Sequence, residues 1–265
     1  MELNPPQEVL LDEVAGDLIA FRWKDGALNL EVFGNRVTSG QYTIVYEAAL
    51  AHLPRGEKVL DWGCGNGHFS YFLLKAGYRV TGFSFLGAPR LIGDPGGRFE
   101  FVSGTEKDPR TLPFASGEFG SVVSMGVLEH VRETGGEESA SLREIRRILR
   151  PGGVFLCAHF PNRRSWIEFL TRHLTRSKFT HRFRFTTKEI RALWSEAGLE
   201  VLSVTRYGWL PRNLLSGIRS PLMNSSLSVK AYNAAERVAS LVLFPFHQNF
   251  LIVARVPETG EDHAT

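Results

Sequence analysis

Apolar residues follow two rhythms along the chain: short unbroken runs, and longer stretches in which they return every three or four positions. Between Gln41 and Leu53, the residues Ile44, Val45, Ala48, Ala49 and Leu53 recur at helical spacing and predict a helix. Lys58 to Asp61 predicts a short buried strand. Phe69, Phe72, Leu73 and Ala76 mark the next helix, with Gly77 placed to stop it in the left-handed C′ conformation. Tyr78–Phe83 and Phe99–Val102 predict strands two and three, and Phe119–Ser124 predicts strand four after a Pro113/Gly117 turn region. Over Ser139–Leu149 one helix face carries Leu142, Ile145 and Leu149, while Arg143, Arg146, Arg147 and Arg150 point the other way. Pro151-Gly152-Gly153 breaks that helix, and Val154–Ala158 predicts strand five. Thr186 and Glu189 have capping-box spacing. The helix they open buries Ile190, Leu193, Trp194 and Ala197 and ends at Gly198. Leu199–Tyr207 and Phe250–Val256 predict the last strands. The intervening residues 211–246 form an insertion rich in Leu, Ser and Asn, with a helix near Ser228–Leu243. Residues 1–40 show no readable period.

Strands alternating with helices predict an α/β fold, a parallel sheet covered on both faces. Right-handed crossovers bring the strand C-terminal ends to one edge, where ligands bind at the switch in strand order. Asp61, the glycines after it, Ser84, Thr105 and Met125 all fall at such ends. The chain therefore reads as one domain over residues 1–256. Residues 1–55 are an N-terminal helical segment, 56–160 a ligand-binding core and 161–256 an acceptor-side half. Residues 257–265 read as a disordered tail.

Composition narrows the function classes. The chain has 265 residues and a net charge of only +3, which does not call for nucleic acid. Its two cysteines, Cys64 and Cys157, supply neither a disulfide framework nor a metal quartet, and no metal is expected. Met1–Pro6 has no signal-peptide pattern, and no run approaches the ~18 apolar residues of a membrane span. A cytoplasmic location is the expectation.

The most specific local signal is Val59-Leu60-Asp61-Trp62-Gly63-Cys64-Gly65-Asn66-Gly67. An apolar strand ends in an acid, and glycines at alternate positions open a helix. Glycine lets a ligand approach bare backbone. The spacing is G-x-G-x-G, and the third glycine of a dinucleotide fingerprint would fall on His68. The turn therefore points away from nicotinamide or flavin and toward a smaller nucleoside.

From Val59 to Val204 the chain resembles the class I S-adenosylmethionine-dependent methyltransferases, in particular the bacterial small-molecule (type 11-like) group. Four segments carry the resemblance, in the family's order: Val59–Gly67; Leu112-Pro113-Phe114 with Phe119–Ser124; Val127-Leu128-Glu129-His130-Val131; and Arg147–Gly153. The resemblance implies a Rossmann-like doubly wound seven-stranded sheet, mostly parallel with an antiparallel last strand. It also implies S-adenosyl-L-methionine as cofactor. Gly63, Cys64, Gly65 and Gly67 would lie along its methionine part. Asp61 would reach its amino group or else only brace the turn. Ser84 and Phe85 stand at the ribose end, where the family usually places an acid. A serine cannot make the charged bidentate grip, so either a weaker hold on the cofactor or help from another group such as Asn66 is expected. Thr105 and Glu106 are candidates for the adenine amino group, with a solvated loop the alternative for Glu106. Met125 and Gly126 would flank the adenosine, although Met125 also suits plain core filling. Gly120 replaces another usual acid of the fourth strand.

Methyl transfer needs an acceptor atom held in line with the sulfonium methyl and water kept out. A hydroxyl acceptor needs a base, and histidine is the side chain suited to it near neutral pH. His130, His159 and His181 are the catalytic candidates, each with a structural alternative. Nine Arg or Lys residues crowd Asn162–Arg191 with Trp166, Phe169, Phe179, Phe183 and Phe185. This stretch suits an anionic or phosphate-bearing small molecule, or is a solvated helix face. The run Leu241–Phe246 reads as core packing, a substrate lid, a homodimer contact or a peripheral membrane patch. The leading expectation is O-methylation of a sugar, glycolipid precursor or secondary metabolite. N- or C-methylation, and a non-catalytic binding protein with the same fold, are the alternatives.

Overall fold

The computed structural model describes residues 5–258 except 27, 29, 94–95, 106–110 and 175–180. Seven strands form one sheet in the order β3-β2-β1-β4-β5-β7-β6. They are β1 (Lys58–Trp62), β2 (Arg79–Ser84), β3 (Phe99–Ser103), β4 (Phe119–Met125), β5 (Leu149–Pro161), β6 (Glu200–Tyr207) and β7 (Asn249–Arg255). Neighbours run parallel from β3 through β5, and β7 is antiparallel to both β5 and β6. This is the doubly wound, Rossmann-like order the motifs imply. The strand order reverses between β1 and β4, so the switch point lies at Trp62–Gly67 and Met125–Gly126.

Side chains alternate across the sheet. Val59 of β1 faces a core of α1 (Pro5–Lys24), α2 (Arg36–His52) and α3 (His68–Lys75). Leu60 and Trp62 face the opposite core with α4 (Glu138–Ile148) and α6 (Thr187–Glu196). Capping chemistry sets two helix starts. Asn35 and Thr38 form a reciprocal capping box on α2, and Thr186 and Glu189 form the expected one on α6.

Three sequence readings need correction. Strand five is longer than Val154–Ala158: Leu149 already pairs with Phe119, and the Pro151-Gly152-Gly153 segment is a bulge within it. The helix expected from Gln41 begins at Arg36, because Asn35 caps it there. The Leu241–Phe246 run is not core: Leu241 is 75% and Phe244 56% exposed. Gly120 also has a local reason. A Cβ there would stand 2.6 Å from Glu57 Cβ, and Glu57 pairs with Arg150 at 2.8 Å.

The insertion carries a turn at Arg212–Leu215, the one-turn helix α7 (Pro221–Asn224) and α8 (Ser226–Val242). Buried polar groups tie it to α2. Arg212 donates to Val37 O (3.0 Å) and Asn233 Oδ1 (2.8 Å). Asn35 Nδ2 donates to Leu215 O at 2.8 Å. Glu236, 6% exposed, accepts the N–H groups of Trp209 (2.6 Å) and Leu210 (2.9 Å). Removing that carboxylate strands two donors and the nearby Arg212 charge. Glu236→Ala should therefore lower unfolding free energy by about 2–3 kcal/mol. Urea titration checks this, and a change under about 0.5 kcal/mol, the range of an ordinary surface substitution, would contradict it.

Candidate functional site

Strand β1 delivers the chain to the switch point, and the glycine turn carries it into α3. Gly63, Gly65 and Gly67 have φ of 79°, 49° and 89°, a region that disfavours residues with a Cβ. The turn is latched to the end of β2, where Gly63 N–H and Cys64 N–H both donate to Phe83 O at 2.8 and 3.0 Å. The glycines have different jobs. A Cβ on Gly63 would overlap Val127 Cγ2, and one on Gly67 would meet Pro89 at 2.7 Å. A Cβ on Gly65 would meet only Gly63 O, at 3.9 Å. Gly65 thus leaves its space open to the cavity rather than to the protein.

That cavity, about 290 Å³, is lined mainly by apolar groups. Trp62, Gly63 and Gly65 form its floor, Phe83 to Leu86 one wall, and Thr111, Leu112, Gly126, Val127, His130 and Val131 the other. Of the sequence-derived cofactor residues, Gly63, Gly65, Ser84, Phe85 and Gly126 line it. Ser84 Oγ also accepts the Leu86 N–H at 3.0 Å, so the serine braces its own loop. Asp61, Cys64, Gly67, Thr105 and Met125 stand outside the lining. Cys64 is buried, its Sγ 3.1 Å from where a Cβ on Gly82 would lie. Met125 packs on the core, as its alternative reading allows. Glu106 lies outside the described residues.

Asp61 sits beneath the turn, 2% exposed, and its Oδ2 accepts the Ser70 hydroxyl at 2.6 Å. Burial pushes its pKa up to about 6, against the lowering effect of the Ser70 bonds. The carboxylate is thus desolvated, with the neutral hydroxyl and backbone N–H of Ser70 as its partners, an arrangement that favours a nearby cation.

The three candidate histidines come from three elements and converge at one edge. His130 lies in the 3-10 turn Leu128–Thr134 after β4, lines the cavity, and contacts Glu133 Oε1 through Nδ1 at 3.1 Å. His181 precedes α6, and its ring centre is 5.5 Å from that of His130. Its Nδ1 bonds Oε1 of Glu168, a 3% exposed residue of α5 (Trp166–Leu174). Burial opposes charge on His181, but the hydrogen-bonded Glu168 carboxylate outweighs it and the pKa is raised. His159 lies within β5 with φ of 62°, the one positive-φ non-glycine residue among those described. Tyr207 OH accepts the His159 backbone N–H at 2.8 Å and pairs with its Nδ1 at 2.9 Å. The opposite nitrogen, Nε2, is buried with no hydrogen-bond partner among the described residues. Burial lowers the His159 pKa to about 4, so the ring is neutral near pH 7.

Several groups at this edge escaped the sequence reading. Tyr42 packs edge-to-face between His159 and His68, its ring centre 5.1 Å from that of His159 and 5.0 Å from that of His68. Glu129 is 3% exposed beside His130 and His181, and burial raises its pKa to about 7. Its neighbour His130 was the visible member of the Leu128-Glu129-His130 signal. A second cavity, about 350 Å³, is lined by Arg132, Arg163, Arg182 and Arg184 with Phe183, Phe185 and Glu189. The rest of the basic stretch at 175–180 is outside the described residues.

Comparison with known proteins agrees with this geometry. A family model described as a methyltransferase domain matches residues 40–204. The ubiquinone biosynthesis O-methyltransferase of Pseudomonas aeruginosa is 32% identical over 164 residues, covering 56% of this chain and 67% of that protein. That of Bordetella avium is 29% identical over 168 residues, covering 57% and 65%. Among solved structures, the Burkholderia thailandensis 1,6-didemethyltoxoflavin-N1-methyltransferase, bound to its acceptor and S-adenosylhomocysteine, superposes with a TM-score of 0.53 at 19% identity, covering 97% of this chain and 93% of that one. An S-adenosylmethionine-dependent methyltransferase from Mesorhizobium loti superposes with a TM-score of 0.52 at 18% identity, covering 79% and 96%. With the motifs, strand order and glycine turn in place, the chain belongs to the class I S-adenosylmethionine-dependent methyltransferases.

Proposed function

We propose that this enzyme methylates a hydroxyl oxygen of a small molecule, and that the acceptor carries a negative charge. The observation that carries the reading is His130 in the lining of the glycine-turn cavity, with the His181 ring centre 5.5 Å from its own and His159 near enough to His181 for charge on one to disfavour charge on the other. An O–H acceptor must lose its proton as its oxygen takes the methyl group, and basic nitrogens at that edge serve this need. Identity of about 30% to O-methyltransferases named for ubiquinone biosynthesis supports an oxygen acceptor.

The cofactor supplies an electrophilic methyl group on a sulfonium. The rest of the work falls to the chain. Gly63 and Gly65 admit the cofactor against bare backbone, and Asp61 offers a carboxylate to its amino end. Phe83, Phe85 and Trp62 give the cavity its apolar walls and exclude water. For His159, a Tyr207 O–H donated to Nδ1 fixes the neutral tautomer that carries its proton on Nε2. In that state His159 is a donor that orients the acceptor oxygen, and in the metal-free protein the proton is taken up at His181 or His130, a role that an ion bound to those two rings would take over. The arginine-lined cavity beside them suits a carboxylate or phosphate on the acceptor.

Incubating the enzyme with S-adenosylmethionine and a panel of phenols, sugars and their anionic derivatives tests this. The expected product gains one methyl group on oxygen. His159→Ala should cut kcat by about 100-fold or more with the cofactor affinity kept, the scale of one lost acid–base or orienting group. Products methylated only at nitrogen or carbon, or full turnover in the variant, would contradict the reading.

A further inference from the structure

We infer that Glu129, His130 and His181 form a binding site for a first-row divalent cation, Zn²⁺ foremost, beside the cofactor cavity. The inference goes beyond methyl transfer, and only its catalytic consequence rests on the acceptor proposed above.

One ligand atom from each residue lies within 4.8 Å of the other two, a spread that a central ion closes with small side-chain movements. Burial supplies an independent reason. Glu129 is 3% exposed, yet its Oε2 has no hydrogen-bond partner among the described residues. A buried carboxylate oxygen left alone is costly, and a cation is the partner that best repays it.

The rings are arranged as metal ligands are. His130 is held through Nδ1 by Glu133, and His181 through Nδ1 by Glu168. A carboxylate on one imidazole nitrogen fixes ring orientation and makes the other nitrogen a better ligand. Glu168 is held in place by burial, at 3% exposed, and by Arg184, whose Nε lies 3.9 Å from its Oε2. Three carboxylates thus stand against two imidazoles, and with Arg184 set against Glu168, the negative charge left on Glu129 and Glu133 is what a dication balances.

The donor set selects the metal. Two imidazoles and one carboxylate suit Zn²⁺ and its first-row neighbours, whereas Mg²⁺ and Ca²⁺ prefer oxygen alone. Three protein ligands leave a coordination position open, the pattern of a catalytic rather than a structural zinc. His130 lines the cavity, so that open position faces the place where cofactor and acceptor meet. An acceptor hydroxyl bound there loses its proton to water more readily, and its oxygen is held for attack.

The test uses the full chain, stripped with a chelator and titrated with Co²⁺ as a visible probe. One equivalent should bind with d–d absorption bands and be displaced by Zn²⁺. Glu129→Gln and His181→Ala should each weaken binding at least 100-fold. Glu168→Gln leaves all three ligands in place and should weaken it about 10- to 100-fold through loss of ring orientation. Circular dichroism reports whether each variant folds. S-adenosylhomocysteine is titrated into the same samples, so cofactor binding is read apart from the metal. Wild-type protein that binds the nucleoside but no stoichiometric cobalt would overturn the site and leave the methyltransferase assignment intact. Equal cobalt binding by wild type and all three variants would also overturn it.

Discussion

Gly63→Ala should lose S-adenosylhomocysteine affinity by at least 100-fold, about 3 kcal/mol, while keeping its far-ultraviolet spectrum. Two effects act together. The residue sits at φ of 79°, and its new methyl group would overlap Val127, which itself walls the cavity. Val127 lies at the start of the segment after β4, so the turn and the opposite wall must both move. The latch from Gly63 and Cys64 to Phe83 would be drawn out of register. Gly77→Ala is the matched control. It has an even larger φ of 89°, but a Cβ there meets nothing within 4 Å. That variant should lose about 1 kcal/mol of stability and no affinity. Equal affinity loss in both variants would mean that strain alone, not the cavity, governs binding.

Asp61→Asn should stabilise the ligand-free protein at pH 8 and weaken the cofactor. The sign follows from burial. Asp61 has its pKa raised from 3.8 to about 6 in the fold. Between those values the native state holds a proton that the unfolded chain releases, so stability falls as pH rises from about 4 to about 6. Above pH 6 the full cost, about 3 kcal/mol, is present, and asparagine removes it. A cofactor ammonium beside the carboxylate offsets the same cost when bound. Wild-type affinity should therefore weaken as pH drops below about 6, approaching tenfold per unit, and Asp61→Asn should lack this dependence and bind at least tenfold more weakly at pH 8. If Asp61 only braces the turn through Ser70, the variant would be less stable and its affinity unchanged. Denaturation curves and calorimetric titrations across pH separate the two outcomes.

The core of the fold was legible because its signals are local. The strand runs at Lys58, Phe119 and Phe250 are short and apolar, and the glycine turn needs conformations that a Cβ forbids. The N-terminal helix was not legible for the same physical reason inverted. In α1 only Leu11, Val14 and Leu18 are buried, while Ile19 and Trp23 are half-buried off that face, which blurs the period. The exposed Leu241–Phe246 run misled because apolar sequence alone does not distinguish a core from a surface. Within the site, Ser84 and Gly126 followed from strand ends, but the pairing of His130 with His181 did not. They belong to segments joined only when β4, β5 and α6 pack together. Glu168 was hidden among arginines, and nothing in its sequence neighbourhood announces that it is buried and bonded to His181.

Calorimetric titration of the purified chain with S-adenosylhomocysteine tests the central claim most directly, with Gly63→Ala and NADH in parallel. The account predicts one nucleoside bound per chain by the wild type, at least 100-fold weaker binding by the variant, and no binding of NADH. Absence of nucleoside binding by the wild type, or preference for the dinucleotide, would contradict it.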